Sequence, residues 1–283
     1  MNKAADPNPP RDEEIEEKKM PLLDHLIELR SRLFKSLIAF VIAFVICFHF
    51  AEPIFGFLVE PLARIMKEVG GNQRMIYTAL TEAFFTYVKI GLFGGLIVSF
   101  PFFATQIWMF VAPGLYKNEK RAFFPFLIAS PILFVMGCAL VYYVIIPLAW
   151  TFLLGFQTTS AQTVLPVQLE AKIGEYLDLV MKLVFAFGLC FQLPVLLVLL
   201  VRVGILQSES LASKRRYAIV ATFIMAAVLT PPDVISQVAL AVPILLLYEL
   251  SIIAARLVER ARRREEAAKE AAGDGGDFQG PAP

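Results

Sequence analysis

Two acidic residues in basic company carry the chemistry this sequence offers. In Pro21-Leu-Leu-Asp-His-Leu-Ile-Glu-Leu-Arg-Ser-Arg-Leu33, the carboxylate of Glu28 lies among His25, Arg30 and Arg32, at the foot of the first long apolar run. Glu119 repeats the arrangement in Leu115-Tyr-Lys-Asn-Glu-Lys-Arg121. A carboxylate accepts paired hydrogen bonds from a planar guanidinium, so two such acids could hold two adjacent arginines that the surrounding Lys and Arg would otherwise repel. Each acid also has a plainer reading. Glu28 and Arg32 are spaced i,i+4, which on an exposed helix gives an ion pair of only about 0.3 to 0.5 kcal/mol. Glu119 fits a solvated turn partly neutralised by Lys117, Lys120 and Arg121. The choice depends on the elements that place the two acids.

Those elements are membrane helices. The chain has 283 residues, 58% of them apolar, and a mean hydropathy of +0.66, which excludes a water-soluble domain. A helix needs about 20 apolar residues to cross about 30 Å of hydrocarbon. Six runs approach that length, at 33–50, 84–110, 123–150, 176–201, 217–229 and 234–256. The fold class is therefore an all-α integral membrane protein with six transmembrane helices, kinked spans and a concave shape, its membrane domain covering 21–260. The fifth run gives only about 20 Å of helix, so the bilayer thins there or the last two runs form a re-entrant hairpin around Thr230-Pro231-Pro232-Asp233. Residues 1–20 and 261–283 lack apolar periodicity and read as disordered, solvated tails.

Charge sets the orientation. If the N-terminus, the second and fourth loops and the C-terminus share one side, that side holds 20 of the 26 Lys and Arg. By the positive-inside rule both termini are cytoplasmic, and Glu28 and Glu119 then lie on one cytoplasmic face. The helix around Glu28, with Leu22, Leu26, Leu29 and Leu33 on one side, is opened by Pro21 and runs into the first span.

Other residues have bland and sharp readings side by side. Lys89 and Lys182 lie about six residues inside the outer ends of their spans and are expected to snorkel. Gln192, deep in the fourth span with Pro194 two residues on, must find partners, either as glue between helices or at a polar site. Pro101, Pro131, Pro194 and Pro243 should kink or interrupt their spans. Gly91-Leu-Phe-Gly-Gly95 permits close helix approach, and Cys47, Cys138 and Cys190 read as small buried side chains. Between the first two spans, Phe57, Leu58, Leu62, Ile65, Met66 and Val69 recur at helical spacing, the pattern of an amphipathic helix on the outer surface. There is no phosphate loop, no Gly-x-Ser-x-Gly elbow and no His-Glu-x-x-His, so enzyme chemistry, a metal and a cofactor are not expected.

Four ordered stretches together resemble the TatC family, the multispanning core of the twin-arginine (Tat) protein translocase. They are His25-Leu-Ile-Glu-Leu-Arg30, Pro101 to Pro113 with Gln106-Ile-Trp-Met-Phe110, Leu115-Tyr-Lys-Asn-Glu119, and Leu229-Thr-Pro-Pro-Asp-Val-Ile-Ser-Gln237. The resemblance implies that Glu28 and Glu119, with Arg30 and Phe110, bind the arginine pair of a signal peptide. It also places Pro61 and Asp233 at positions used for function or structural integrity. Thr230 and Gln237 match the polar patch where the single-span partners TatA and TatB dock. Some members carry a glutamate where this chain has Gln192; an amide does not titrate, so polar partner binding is the role left for that position.

The function implied is a receptor subunit that, with TatA and TatB, exports folded proteins across a bacterial cytoplasmic (inner) membrane using the proton-motive force. Its expected partners are those proteins, twin-arginine signal peptides, membrane lipid and further copies in an oligomeric complex, with no nucleic acid. The rivals are a secondary transporter of a small solute, which would show a charged constellation at the midplane, and a membrane scaffold with no part in translocation.

Overall fold

The computed structural model describes residues 11–69, 74–111, 120–158, 165, 167, 169–230 and 234–273. Its first rod is α1 (Arg11–His49), followed by α2 (Ala51–Val69), β1 (Met75–Ile76) and α3 (Glu82–Val111). Next come α4 (Lys120–Leu140), a π-helical turn (Val141–Ile145) and α5 (Ile146–Leu154), which form one rod. The remainder is β2 (Ala171–Lys172), α6 (Ile173–Cys190), α7 (Leu193–Arg202), α8 (Ser208–Ser213), α9 (Arg215–Leu229) and α10 (Val234–Gly273). Among the described residues, five helical stretches are long and apolar enough to cross a membrane: His25–His49, Glu82–Phe110, Pro125–Leu154, Ile173–Arg202 and Val234–Arg264. The fifth expected run corresponds to α9, whose 15 residues span roughly 22 Å. It is as short as its sequence foretold.

Helix ends differ from the apolar boundaries. Helix α1 begins at Arg11, so Pro21 lies within it, and α10 continues to Gly273, past the end of its apolar run. The α1 extension is rich in Glu and Lys and the α10 extension in Ala, Arg and Glu, helix formers that need no apolar face to continue a helix already nucleated.

Of the four prolines expected to bend spans, Pro194 alone interrupts one. Pro101, Pro131 and Pro243 lie inside helices that run on past them. At Pro194 the missing N–H ends α6 at Cys190, Phe191 and Gln192 form a tight turn, and α7 restarts at Leu193. Pro147 acts in the same way on the α4–α5 rod. Its ring collides with the carbonyl of Tyr143 in an ordinary helix, and the π turn at Val141–Ile145 supplies the extra room. Helix α7 stops in a Schellman arrangement: Gly204 has φ +83°, and Ile205 N–H donates to the Leu200 carbonyl at 3.0 Å.

The glycine triplet of α3 is packing surface, as its spacing suggested. A Cβ on Gly95 would lie 2.9 Å from the Cα of Phe44, and one on Gly91 would lie 2.9 Å from the Cβ of Phe48. These glycines let α1 lie against α3 at backbone distance. The rest of α1 presents Leu33, Phe34, Leu37, Val41, Val45 and other exposed apolar side chains to lipid.

The larger core sits at the opposite end from Glu28. There Leu58, Leu62, Ile65 and Met66 of α2 are buried among Val141, Ile145, Ile146, Leu177, Val180 and Val184. The amphipathic helix is therefore present, and its apolar face is taken by protein rather than by the membrane surface. Pro61 inside α2 has no N–H for the Phe57 carbonyl four residues earlier. Tyr142 OH donates to that carbonyl at 2.6 Å, and Tyr176 OH donates to the neighbouring Leu58 carbonyl at 2.9 Å. The same end is stitched by parallel pairing of β1 with β2, Met75 opposite Ala171 and Ile76 opposite Lys172. A smaller core at the Glu28 end joins Val198, Val201, Leu211, Ile252 and Ala255 with Phe126, which lies beside Trp108 of α3.

Candidate functional site

Glu28 stands where α1 enters the bundle, against the end of α3. Arg32, one turn on, donates from Nε and Nη2 to a single carboxylate oxygen, Oε1, at 2.9 and 2.5 Å. Its Nη1 reaches Oε1 of Gln106 on α3 at 3.5 Å. The other carboxylate oxygen, Oε2, faces His25 Nδ1 at 3.9 Å, beyond hydrogen-bond distance. The His25 ring in turn stacks on Phe110, centroids 4.1 Å apart and planes 12° from parallel. Arg32 is 17% exposed and Glu28 36%.

The i,i+4 pair of the plainer reading is thus present, and it does not exhaust the acid. Arg32 uses one oxygen and also contacts Gln106, while Oε2 of the part-exposed carboxylate accepts no hydrogen bond among the described residues. Such an oxygen can take a further guanidinium or ammonium donor without displacing Arg32. Phe110 belongs to this cluster, as expected. His25 and Gln106 join it as well, and the His25–Phe110 stack and the Arg32–Gln106 contact link residues on different helices. Arg30 is exposed on the same stretch of α1. Glu119 and Asp233 lie outside the described residues.

The remaining expected residues are held by partners of their own. Gln192 Nε2 donates to the Ser130 carbonyl at 2.9 Å, and Ser130 Oγ donates back to Gln192 Oε1, so the amide ties the α6–α7 break to α4. Thr230 is 8% exposed and its hydroxyl donates to the Ala226 carbonyl at 2.8 Å. Gln237 Nε2 donates across to the Phe223 carbonyl at 3.2 Å, joining α10 to α9. Pro61 acts through the carbonyl it frees, as described above.

Lys89 corrects an expectation. It does not simply snorkel: its Nζ lies 2.8 Å from both carboxylate oxygens of Asp178, which makes an ion pair between α3 and α6. Lys182, one turn beyond Asp178, is exposed. Lys89 and Asp178 lie 89 residues apart in the chain, so neither neighbourhood alone shows the pair. An acid and a base in two different apolar spans are a signal that could have been paired.

The fold and the site define a class: a mostly helical, multi-pass membrane protein, with one short pair of strands and a part-exposed carboxylate at one end of its bundle. The family model for the Sec-independent protein translocase protein TatC matches residues 24–243. The chain belongs to the TatC family. It is 49% identical over 255 residues to the Sec-independent protein translocase protein TatC of Magnetococcus marinus, covering 90% of this chain and 91% of that one. The TatC of Escherichia coli strain K12 is 40% identical over 247 residues, 87% of this chain and 92% of the relative. A crystal structure of a twin arginine translocase receptor, TatC, superposes with a TM-score of 0.72 at 40% identity, over 83% of this chain and 99% of that one. A second, in the detergent DDM, gives 0.73 at 41% identity, over 82% and 99%.

Proposed function

We propose that this chain is the receptor core of a twin-arginine translocase in a bacterial cytoplasmic membrane, where Glu28 and Glu119 bind the arginine pair of signal peptides. Family membership supports the translocase, and the placement of 20 of 26 Lys and Arg supports an orientation with both termini cytoplasmic. The observation that carries the site is the half-used carboxylate of Glu28. Oε1 is occupied by Arg32 and Oε2 accepts no hydrogen bond among the described residues, so an incoming guanidinium meets an acceptor already oriented. Phe110, stacked on His25, holds the end of α3 close to Glu28.

Single-span partners of the TatA and TatB type dock at the α9–α10 hairpin in this reading. Gln237 commits its Nε2 to Phe223, and its carbonyl oxygen, without a hydrogen bond among the described residues, can accept a partner's donor, while Thr230 is buried at the end of α9. The short α9 gives a thin rim that suits a partner with a short helix. Translocation of folded cargo then draws on the proton-motive force, with other copies in the complex.

The test is photo-crosslinking of a signal peptide carrying Arg-Arg or Lys-Lys to the purified protein. Labelling should favour Arg-Arg and fall in Glu28→Ala and Glu119→Ala. Equal labelling by both peptides, or undiminished labelling of both variants, would refute the assignment.

A further inference from the structure

Where α10 leaves the apolar layer, a cleft of 240 Å³ opens between it and α8, lined by Ser208, Glu209, Arg256, Glu259, Arg260 and Arg263. The three arginines follow i, i+4, i+7 spacing and so share one side of α10. Arg263 is committed, donating to Glu259 Oε1 at 2.7 Å, and Glu259 Oε2 accepts the Ser208 N–H at 3.2 Å. Arg256 and Arg260 have no ion-pair partner among the described residues. With Glu209 on the rim, the uncommitted charge of the cleft is +1.

An apolar track leads to these two arginines. Leu246, Leu250, Ile253 and Leu257 are 60, 58, 54 and 61% exposed, and their 4-3-4 spacing forms one stripe along α10. Arg260 stands three residues beyond Leu257 and continues the stripe, and Arg256 flanks it. A ligand that fits both parts is amphiphilic, with an acyl chain on the stripe and an anion at its head. A net charge of +1 matches the single negative charge of a phosphodiester, whose oxygens suit the bidentate geometry of arginine.

We propose that the α8–α10 cleft binds the headgroup phosphate of an anionic phospholipid whose acyl chain lies along Leu250, Ile253 and Leu257. A basic pocket beside a membrane helix, at the level where the apolar run ends, is placed to recognise such a headgroup. The site uses none of the residues assigned to signal recognition.

Native mass spectrometry of the full-length, detergent-solubilised protein titrated with phosphatidylglycerol or phosphatidylcholine tests this. Phosphatidylglycerol should bind more tightly and its affinity should fall as ionic strength rises. The double variant Arg256→Gln/Arg260→Gln should lose roughly 30-fold in that affinity, about tenfold for each 1.4 kcal/mol of headgroup attraction removed. Arg64→Gln, which removes an exposed arginine paired with Glu60 at the other end of the bundle, should bind as the wild type does. Arg256→Lys/Arg260→Lys keeps both charges but not the bidentate fork, and should bind more tightly than the Gln variant and less tightly than the wild type. Equal affinity for the zwitterionic lipid, salt-insensitive binding, or wild-type affinity in the Gln variant would overturn the proposal. Displacement of the lipid by millimolar inorganic phosphate would assign the cleft to a soluble anion and overturn the lipid. The salt dependence and the headgroup comparison need only the wild-type protein, so a variant that fails to fold does not spare the proposal.

Discussion

Replacing Tyr142 by Phe tests whether the packing at the far end of the bundle rests on the carbonyl freed by Pro61. The phenyl ring keeps the stack on Phe57, whose ring lies 4.2 Å away and 7° from parallel, and removes only the hydroxyl that donates to the Phe57 carbonyl at 2.6 Å. Tyr142 is 7% exposed, so water does not readily replace it. Leaving that carbonyl unsatisfied should cost about 1 to 3 kcal/mol. In a Pro61→Ala background the backbone N–H restored by the substitution can bond the same carbonyl, and the loss of the hydroxyl should then cost little. A double-mutant cycle, read by equilibrium unfolding of the purified protein in mixed detergent micelles, should give a coupling energy of about 1 kcal/mol or more. Additive effects within about 0.5 kcal/mol would refute the link between Tyr142 and Pro61.

Three further perturbations follow from the packing. Gly95→Val places side-chain atoms against the Phe44 backbone, and should cost about 1 to 3 kcal/mol in the same unfolding assay and weaken signal-peptide binding by shifting α1 away from Phe110 and Gln106. Gln192→Leu strands the buried Ser130 hydroxyl, and should destabilise by about 1 to 3 kcal/mol, whereas Gln192→Leu with Ser130→Ala should recover part of that loss. Asp178→Asn leaves Lys89 without its partner; because the pair is half exposed the loss should be about 1 kcal/mol or less, and Lys89→Met in that background should add nothing further, as measured by a second unfolding cycle.

The sequence was most informative where one periodicity settles an element. The apolar runs located the long helices, the spacing at 57–69 gave α2, and Gly91, Gly94 and Gly95 gave the face that meets α1. Partners far apart in the chain were not legible. Nothing near Pro61 indicates that its freed carbonyl is answered by Tyr142, or that Tyr176 covers the next one. Gln192 was recognised as an amide in need of partners, but Ser130, on another helix, could not be named. Glu28 was read with its neighbours along the chain, so Arg32 was found and Gln106 was not. The π turn before Pro147 was also missed, since a continuous apolar run conceals a change in helical pitch.

The central claim is that Glu28 offers an oriented, charged oxygen to an arginine of the signal peptide. Glu28→Gln is the sharpest probe, because the amide keeps the shape and still accepts from Arg32 while removing the charge. Fluorescence anisotropy should show a labelled twin-arginine peptide binding the wild-type protein more tightly than its twin-lysine counterpart. Glu28→Gln should bind the arginine peptide roughly tenfold or more weakly, the loss expected for a charge-assisted hydrogen bond, and should discriminate less between the two peptides. An unchanged affinity for the twin-arginine peptide in Glu28→Gln would contradict the account.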